Sequence, residues 1–331
     1  MEVNATPSDS AWLASALSLD PYMLIDARVA ELYPAVHSAI PDGRKYYVTA
    51  TEERKTLETV ADIIDAFCVA GVTRKSCVIV VGGGITQDVG AMACGIYRRG
   101  VPWCYIPTTL LAMSDSAVGS KASLNRGTKN AIGLFAPPQH IIMATSFLTT
   151  LSEQCLLSGA GEVFKLAAIG GAGLLAEAQA AWDDRDLVRL IRIGLSVKIP
   201  VIEHDEFDRK ERLALNYGHT FGHALEAATN FAIPHGIAVM YGMIIVNKLM
   251  TPGKHKAFNQ FLLNTLGSGF NDQRVALSDV HRTVARDKKN SGGLITLIVL
   301  DEPGKCSLRQ VQWDTLVPRL RELLGGMFVL H

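Results

Sequence analysis

The sequence lacks most of what marks a membrane, nucleic-acid or secreted protein. No apolar run reaches the roughly 18 residues that a membrane-spanning helix needs. No sign of charge is in excess: Lys+Arg and Asp+Glu both number 32, for a formal net charge of +0. Nothing in that balance suggests a nucleic-acid or membrane-surface binder, while a local cluster of bases can still hold an anionic ligand. The six cysteines form no Cys-x-x-Cys pair, so the expectation is buried free thiols in a reducing compartment. The opening MEVNATPSDSAW has neither the basic nor the apolar region of a signal peptide. Repeats and low-complexity tracts are missing too. The expected setting is cytoplasmic, with no membrane and no nucleic acid as partner.

What is present is a long, foldable chain. Its 331 residues are 48% hydrophobic and 19% charged, enough for two cores. From Pro21 to about residue 145, short apolar runs alternate with helical stretches. YMLID (22–26), KYYVTA (45–50), SCVIVVGGG (76–84) and WCYIPTT (103–109) read as strands. LETVADIIDAFCVAG (57–71) and DVGAMACGIYRRG (88–100) read as helices. Such alternation predicts a parallel sheet with crossover helices. Beyond residue 150 helical patterns dominate, over 151–181, 186–203, 207–230, 236–250, 255–266 and 275–286. A strand at 294–300 and a helix at 313–325 close the series. The division is expected at 1–148 and 149–331.

Three stretches carry chemistry. VIVVGGGITQDVG sets three glycines between a buried strand and a helix. Bare backbone and a helix N-terminus suit a diphosphate; the alternative is a tight turn with no ligand, since GxGxxG is missing. Asp26, ending the first strand, is placed to accept from a ribose or to cap the next helix. Residues 107–138 read as a loop rich in Gly, Ser, Thr and Asn, with Lys121, Arg126 and Lys129 interspersed. Such bases suit a phosphate or carboxylate, or else a plain solvated loop. Finally, LNYGHTFGHALEAATNFAIPHG places His219, His223 and His235 within 17 residues. His219 and His223 share one helix face, and three imidazoles suit zinc. Glu162, in the apolar SGAGEVFK, is a candidate fourth ligand, because burial there without a partner is costly.

Taken in order, GGGITQD, YRRG, PTTLLAMSDSAVGSK, KNAIGLF, SGAGEVFK, LNYGHTFGHALE, HGIAVMYGM and RDKK resemble 3-dehydroquinate synthase and the sugar phosphate cyclases related to it. The resemblance runs from about Tyr22 to Leu300. It implies an α/β N-terminal Rossmann-like NAD-binding domain plus a mainly α-helical C-terminal metal-binding domain. It implies a divalent metal, Zn or Co, held by Glu162, His219 and His235, with His223 on the substrate instead. For NAD it implies Asp26, Glu52, Lys55, Gly83, Gly84, Asp88, Thr108 and Thr109. Catalytic roles fall to Asp115, Lys165, Lys198, Asn216 and His223, and substrate binding to Lys121, Lys129, Asn130, Arg212 and Lys289. Arg99 is implied to reach a neighbouring subunit's phosphate, hence a homodimer.

The implied reaction turns a phosphorylated sugar or sugar acid into a carbocycle without net redox. A carbinol is oxidised by NAD, phosphate is eliminated, the hydride is returned, and an intramolecular aldol step closes the ring. Arg212 and Asn216, in RLALN, follow the dehydroquinate pattern and suit a substrate carboxylate. GLFAPP instead resembles the secondary-metabolic cyclases that take sedoheptulose 7-phosphate or glucose 6-phosphate (2-epi-5-epi-valiolone or 2-deoxy-scyllo-inosose type). Ser120 replaces a glycine usual in the dehydroquinate synthases, and only 25 residues precede Asp26. The expected substrate is a seven-carbon keto acid phosphate. Metal-dependent polyol dehydrogenases share the architecture but lack the ordered set Lys121, Lys129, Lys165 and Lys198; a non-catalytic ligand-binding descendant is the remaining alternative.

Overall fold

A computed structural model describes Ser18, residues 20–207, 211–285 and 293–331. Two compact units divide between Ser152 and Glu153. Among the described residues no helix is long and apolar enough to cross a membrane.

The first unit is built on a five-stranded sheet. Its strands are β1 (Pro21–Asp26), β2 (Lys45–Val48), β3 (Cys77–Gly82), β4 (Trp103–Pro107) and β7 (His140–Ile141), in the order β2-β1-β3-β4-β7. All pair in parallel. β3 is buried along its whole length, because helices cover both faces of a parallel sheet and leave no side for polar residues. The helices α1 (Ala27–Leu32), α2 (Pro34–His37), α3 (Leu57–Val69) and α4 (Gly84–Ile96) complete the unit. α3 buries Val60, Ile63 and Phe67 on one face, the i, i+3, i+7 spacing of an amphipathic helix.

Two expectations fail in this unit. α4 begins at Gly84, inside the glycine run, and ends at Ile96 before the arginines. The stretch read as one long loop holds an antiparallel hairpin, β5 (Lys121–Arg126) and β6 (Thr128–Phe135). It turns at Gly127, whose φ of +68° is cheap for glycine. The cysteines divide: Cys77, Cys94 and Cys104 are buried as expected, while Cys68 and Cys155 are exposed.

The second unit is mainly helical: α5 (Glu153–Gly170), α6 (Ala172–Asp183), α7 (Leu187–His204), α8 (His219–Ala228), α9 (His235–Met250), α10 (Lys256–Leu266), α11 (Leu277–Ala285) and α12 (Trp313–Gly325). α9 is buried from Gly236 to Asn247, as a helix apolar on every side must be. The helix expected over 151–181 breaks at Gly171 (φ +128°). That expected over 207–230 is a 3₁₀ turn at Glu211–Asn216 followed by α8. The strand expected at 294–300 is β9 (Leu294–Glu302), joined by an unforeseen partner, β10 (Lys305–Gln312). A short parallel pair, β8 (Arg274–Val275) and β11 (Val329–Leu330), completes the unit.

Close approach of helices sets the site. A Cβ on Gly161 would fall 2.3 Å from the Gly236 carbonyl oxygen, and one on Gly236 would fall 1.8 Å from that of Ser158. The two glycines let α5 and α9 touch backbone to backbone. Each directly adjoins a predicted ligand, Glu162 or His235.

Candidate active site

The second unit gathers the predicted metal ligands. One nitrogen from each of His219, His223 and His235 lies within 4.8 Å of the other two. Glu162, at 0% exposure, enters this cluster from α5. Its Oε1 lies 3.6 Å from His219 Nε2 and 3.2 Å from His235 Nε2. Tetrahedral bonds of about 2.0–2.2 Å put neighbouring ligand atoms roughly 3.3–3.6 Å apart, so these separations suit a shared cation. Glu162 Oε2 faces the Lys165 ammonium at 2.5 Å, while Oε1, equally buried, accepts no hydrogen bond of standard geometry from a described residue. A buried carboxylate in that condition is costly, and a divalent ion on Oε1 answers the need. The donors therefore fit a metal.

Electrostatics agree with this reading. Burial alone would raise the Glu162 carboxyl, but the positive charge beside it, the Lys165 ammonium first, outweighs it and holds the group well below the usual carboxylate range. Lys165 Nζ stands 2.5 Å from Glu162 Oε2, one helical turn away. Burial, reinforced by Lys165, keeps His219 well below the ordinary imidazole range. Its ring is then neutral, the form that binds a metal.

Lys198, Arg212 and Asn216 occupy the same unit. Leu166, Val197 and Leu215 form one buried apolar cluster, and each sits next in sequence to Lys165, Lys198 or Asn216. That packing ties α5, α7 and the 211–216 turn together beneath their polar neighbours. Arg212 is 3% exposed; its guanidinium donates to the Glu206 carbonyl and its backbone N–H to Asp205 Oδ2 at 3.1 Å. Asn216 Nδ2 donates to the Leu213 carbonyl at 3.2 Å. Lys289 lies outside the described residues.

The first unit holds the positions expected for NAD and for phosphate. Gly83 caps α4, with Gly84 its first residue. A Cβ on Gly83 would meet Thr109 Cγ2 at 3.1 Å, and the Thr108 N–H donates to the Gly82 carbonyl at 3.0 Å. These four residues therefore meet at the carboxyl ends of β3 and β4, where open α/β sheets bind ligands. Asp26 caps α1, accepting from the Arg28 N–H at 2.9 Å. Asp115 lies in the π-helical turn Ala112–Ser116, and Lys121 opens β5.

Glu52, Lys55, Asp88, Lys129 and Asn130 were expected to serve two different ligands, yet they lie in one network. Lys55 Nζ sits 2.5 Å from Asp88 Oδ2 and donates to Asn130 Oδ1 at 2.8 Å. Lys129 Nζ is 4.0 Å from Glu52 Oε1. Burial pushes the Asp88 carboxyl up against the pull of Lys55. Asn125, unsuspected in the sequence, links the set. Its amide donates to Glu52 Oε2 at 2.8 Å, while its side-chain oxygen accepts the Asn130 N–H at 2.9 Å. Ser120 (φ +61°), just before β5, and Asn130 (φ +53°), within β6, hold left-handed backbone. Arg98 and Arg99 are left-handed too, at +52° and +64°. Arg99 lines a concavity of about 400 Å³ with Arg74, Trp103, Phe135 and Gln139.

Comparison with known proteins bears on all of this. A family model described as 3-dehydroquinate synthase N-terminal matches residues 45–158, and one described as 3-dehydroquinate synthase C-terminal matches 159–290. A 3-dehydroquinate synthase of Listeria monocytogenes is 35% identical over 324 residues, covering 92% of this chain and 88% of its own. Among solved structures, 2-deoxy-scyllo-inosose synthase complexed with carbaglucose-6-phosphate, NAD+ and Co2+ superposes with TM-score 0.80 at 26% identity, covering 93% of this chain and 92% of that one. The 2-epi-5-epi-valiolone synthase of Streptomyces hygroscopicus, with NAD+ and Zn2+ bound, gives TM-score 0.84 at 22% identity, over 98% and 96%. The second likeness speaks to fold alone.

Proposed function

This chain belongs to the 3-dehydroquinate synthase family, and from that membership we propose that it is a phosphate-eliminating sugar phosphate cyclase using NAD and a divalent metal. The observation that carries the proposal is the fully buried Glu162 carboxylate with two imidazole nitrogens on one oxygen and an ammonium on the other. Glu162, His219 and His235 would hold zinc or cobalt. When bound, NAD+ takes up and returns a hydride at one carbinol, and the cation draws electron density from that carbinol's oxygen.

The remaining work falls to the chain's own groups. Lys121, Asn130 and His223 would serve the substrate phosphate, since ammonium, amide and imidazole N–H groups bond to its oxygens, and Lys129 would serve the rest of the substrate. Arg99 would serve the partner subunit's phosphate in a homodimer. Lys165 and Lys198 are buried ammonium groups (2% and 7% exposed), suited to neutralising negative charge as phosphate departs. Asp115 and Asn216 would orient substrate hydroxyls. Holding both ends of the opened chain favours its closure by proximity.

Arg212 points to a substrate that bears a carboxylate, because a planar guanidinium pairs with that group on two oxygens. The proposed substrate is therefore a seven-carbon keto acid phosphate, and the proposed setting is the cytoplasm, in aromatic amino acid biosynthesis. Phosphate release is to be measured with NAD+ and zinc on the keto acid phosphate, sedoheptulose 7-phosphate and glucose 6-phosphate. The expected result is turnover of the keto acid alone, with no lasting rise in NADH absorbance. Preference for either sugar phosphate would move the chain to the secondary-metabolic cyclases. Stoichiometric NADH without phosphate release would make it a dehydrogenase.

A further inference from the structure

We infer that Glu226 is a positioning residue for metal binding: its carboxylate fixes the tautomer and the aim of the His235 ring. The inference rests on the metal site proposed above. Glu226 sits on α8 at 2% exposure, between buried Leu225 and the helix end. A carboxylate so enclosed is expensive without a partner. Positions 219, 223 and 226 follow the i, i+4, i+7 spacing, so Glu226 continues the helix face that carries His219 and His223. Its Oε2 lies 3.2 Å from His235 Nδ1.

The consequence is a matter of proton counting. An ionised carboxylate only accepts, so the proton of a neutral His235 ring belongs on Nδ1. Nε2 then carries the lone pair. That atom is 3.2 Å from Glu162 Oε1, where lone pair would face lone pair unless a cation lies between. α8 thus supplies one predicted ligand, His219, and aims another, His235, that begins α9. Two carboxylates bracket the ring, one for the proton and one for the metal.

Two variants separate aim from charge. Glu226→Asp keeps the charge and withdraws the acceptor by one methylene; Glu226→Gln keeps the reach and gives up the charge. Full-length chains are stripped with chelator and titrated with zinc against a chromophoric chelator. The visible band of the cobalt-loaded protein and the melting of the stripped protein are recorded in parallel. Loss of an outer-carboxylate partner costs about 10–100-fold in metal affinity, and this is the loss expected for Glu226→Asp. Glu226→Gln, whose amide oxygen still accepts from Nδ1, is expected to lose less than about 10-fold. The cobalt band is expected to move in the Asp variant and to stay near wild type in the Gln variant. Wild-type affinity in Glu226→Asp, or a greater loss in Glu226→Gln, overturns the role of Glu226. A wild-type chain that takes up neither zinc nor cobalt overturns the metal reading itself.

Discussion

Lys165 and Glu162 are 3% and 0% exposed at the side chain and 2.5 Å apart. Breaking such a pair strands a buried charge, at a cost of about 3–5 kcal/mol. Lys165→Met is expected to destabilise the chelator-treated chain by that order in urea unfolding. Zinc should then raise its melting temperature more than it raises that of the wild type, because the ion takes over the missing positive charge. Ser120 presents the opposite case. Its φ of +61° explains why the dehydroquinate pattern has glycine there, since a Cβ in left-handed backbone costs about 1 kcal/mol. Ser120→Gly is expected to stabilise by about 0.5–1 kcal/mol in the same measurement. The meeting of Glu162 with the histidines was foreshadowed, because three histidines within 17 residues and a lone acid in an apolar run each need a reason; the choice of Glu162, His219 and His235 over His223 came from the resemblance alone. Glu226 was not legible, since an acid near the end of a helix reads as a solvated one until its burial is seen. Asn125 escaped for a related reason: Glu52 lies 73 residues away in sequence, and only folding brings the two together.

Among the elements, α5 and α9 touch where Gly161 and Gly236 leave no room for a side chain. Gly236→Ala would drive a Cβ into the Ser158 carbonyl, 1.8 Å away. Backbone cannot swing aside as a side chain does, so a cost of about 3 kcal/mol or more is expected. The same push would separate Glu162 from His235. The checks are thermal melting and the zinc content that survives dialysis; both should fall together. The parallel strands were legible because continuous apolar runs such as CVIVVG leave few alternatives. The β5–β6 hairpin was not. β5 buries only Ala122 and Leu124, β6 buries no residue fully, glycine and polar residues fill the rest, and the register shifts between Leu124 and Arg126. Side-chain composition there resembles a loop, while the pairing is carried by backbone. The start of α4 was misplaced for the same reason: Gly83 and Gly84 read as turn, yet Gly84 already belongs to the helix.

For the whole molecule, binding of zinc to the folded state alone should stabilise by about 2.7 kcal/mol when the ion is at 100 times its dissociation constant. Melting with and without chelator tests this. The proposed dimer makes a sharper claim. Arg99→Ala and Glu162→Ala should each be inactive alone, since one lacks the phosphate contact and the other the metal. When the two are unfolded together and refolded at equal amounts, half the dimers are mixed, and one site in each regains both groups. Roughly a quarter of wild-type turnover is then expected; none would mean that Arg99 serves its own subunit. The ammonium of Lys165 has a last consequence, for the order of events in the life of the chain. Small zinc modules stay unstructured until their ion arrives, because nothing else offsets their ligands. This protein carries a tethered counter-charge of its own, so it can leave the ribosome, close its core and wait. Scarcity of metal would then leave a stock of finished, silent enzyme ready to be switched on, rather than debris for proteases.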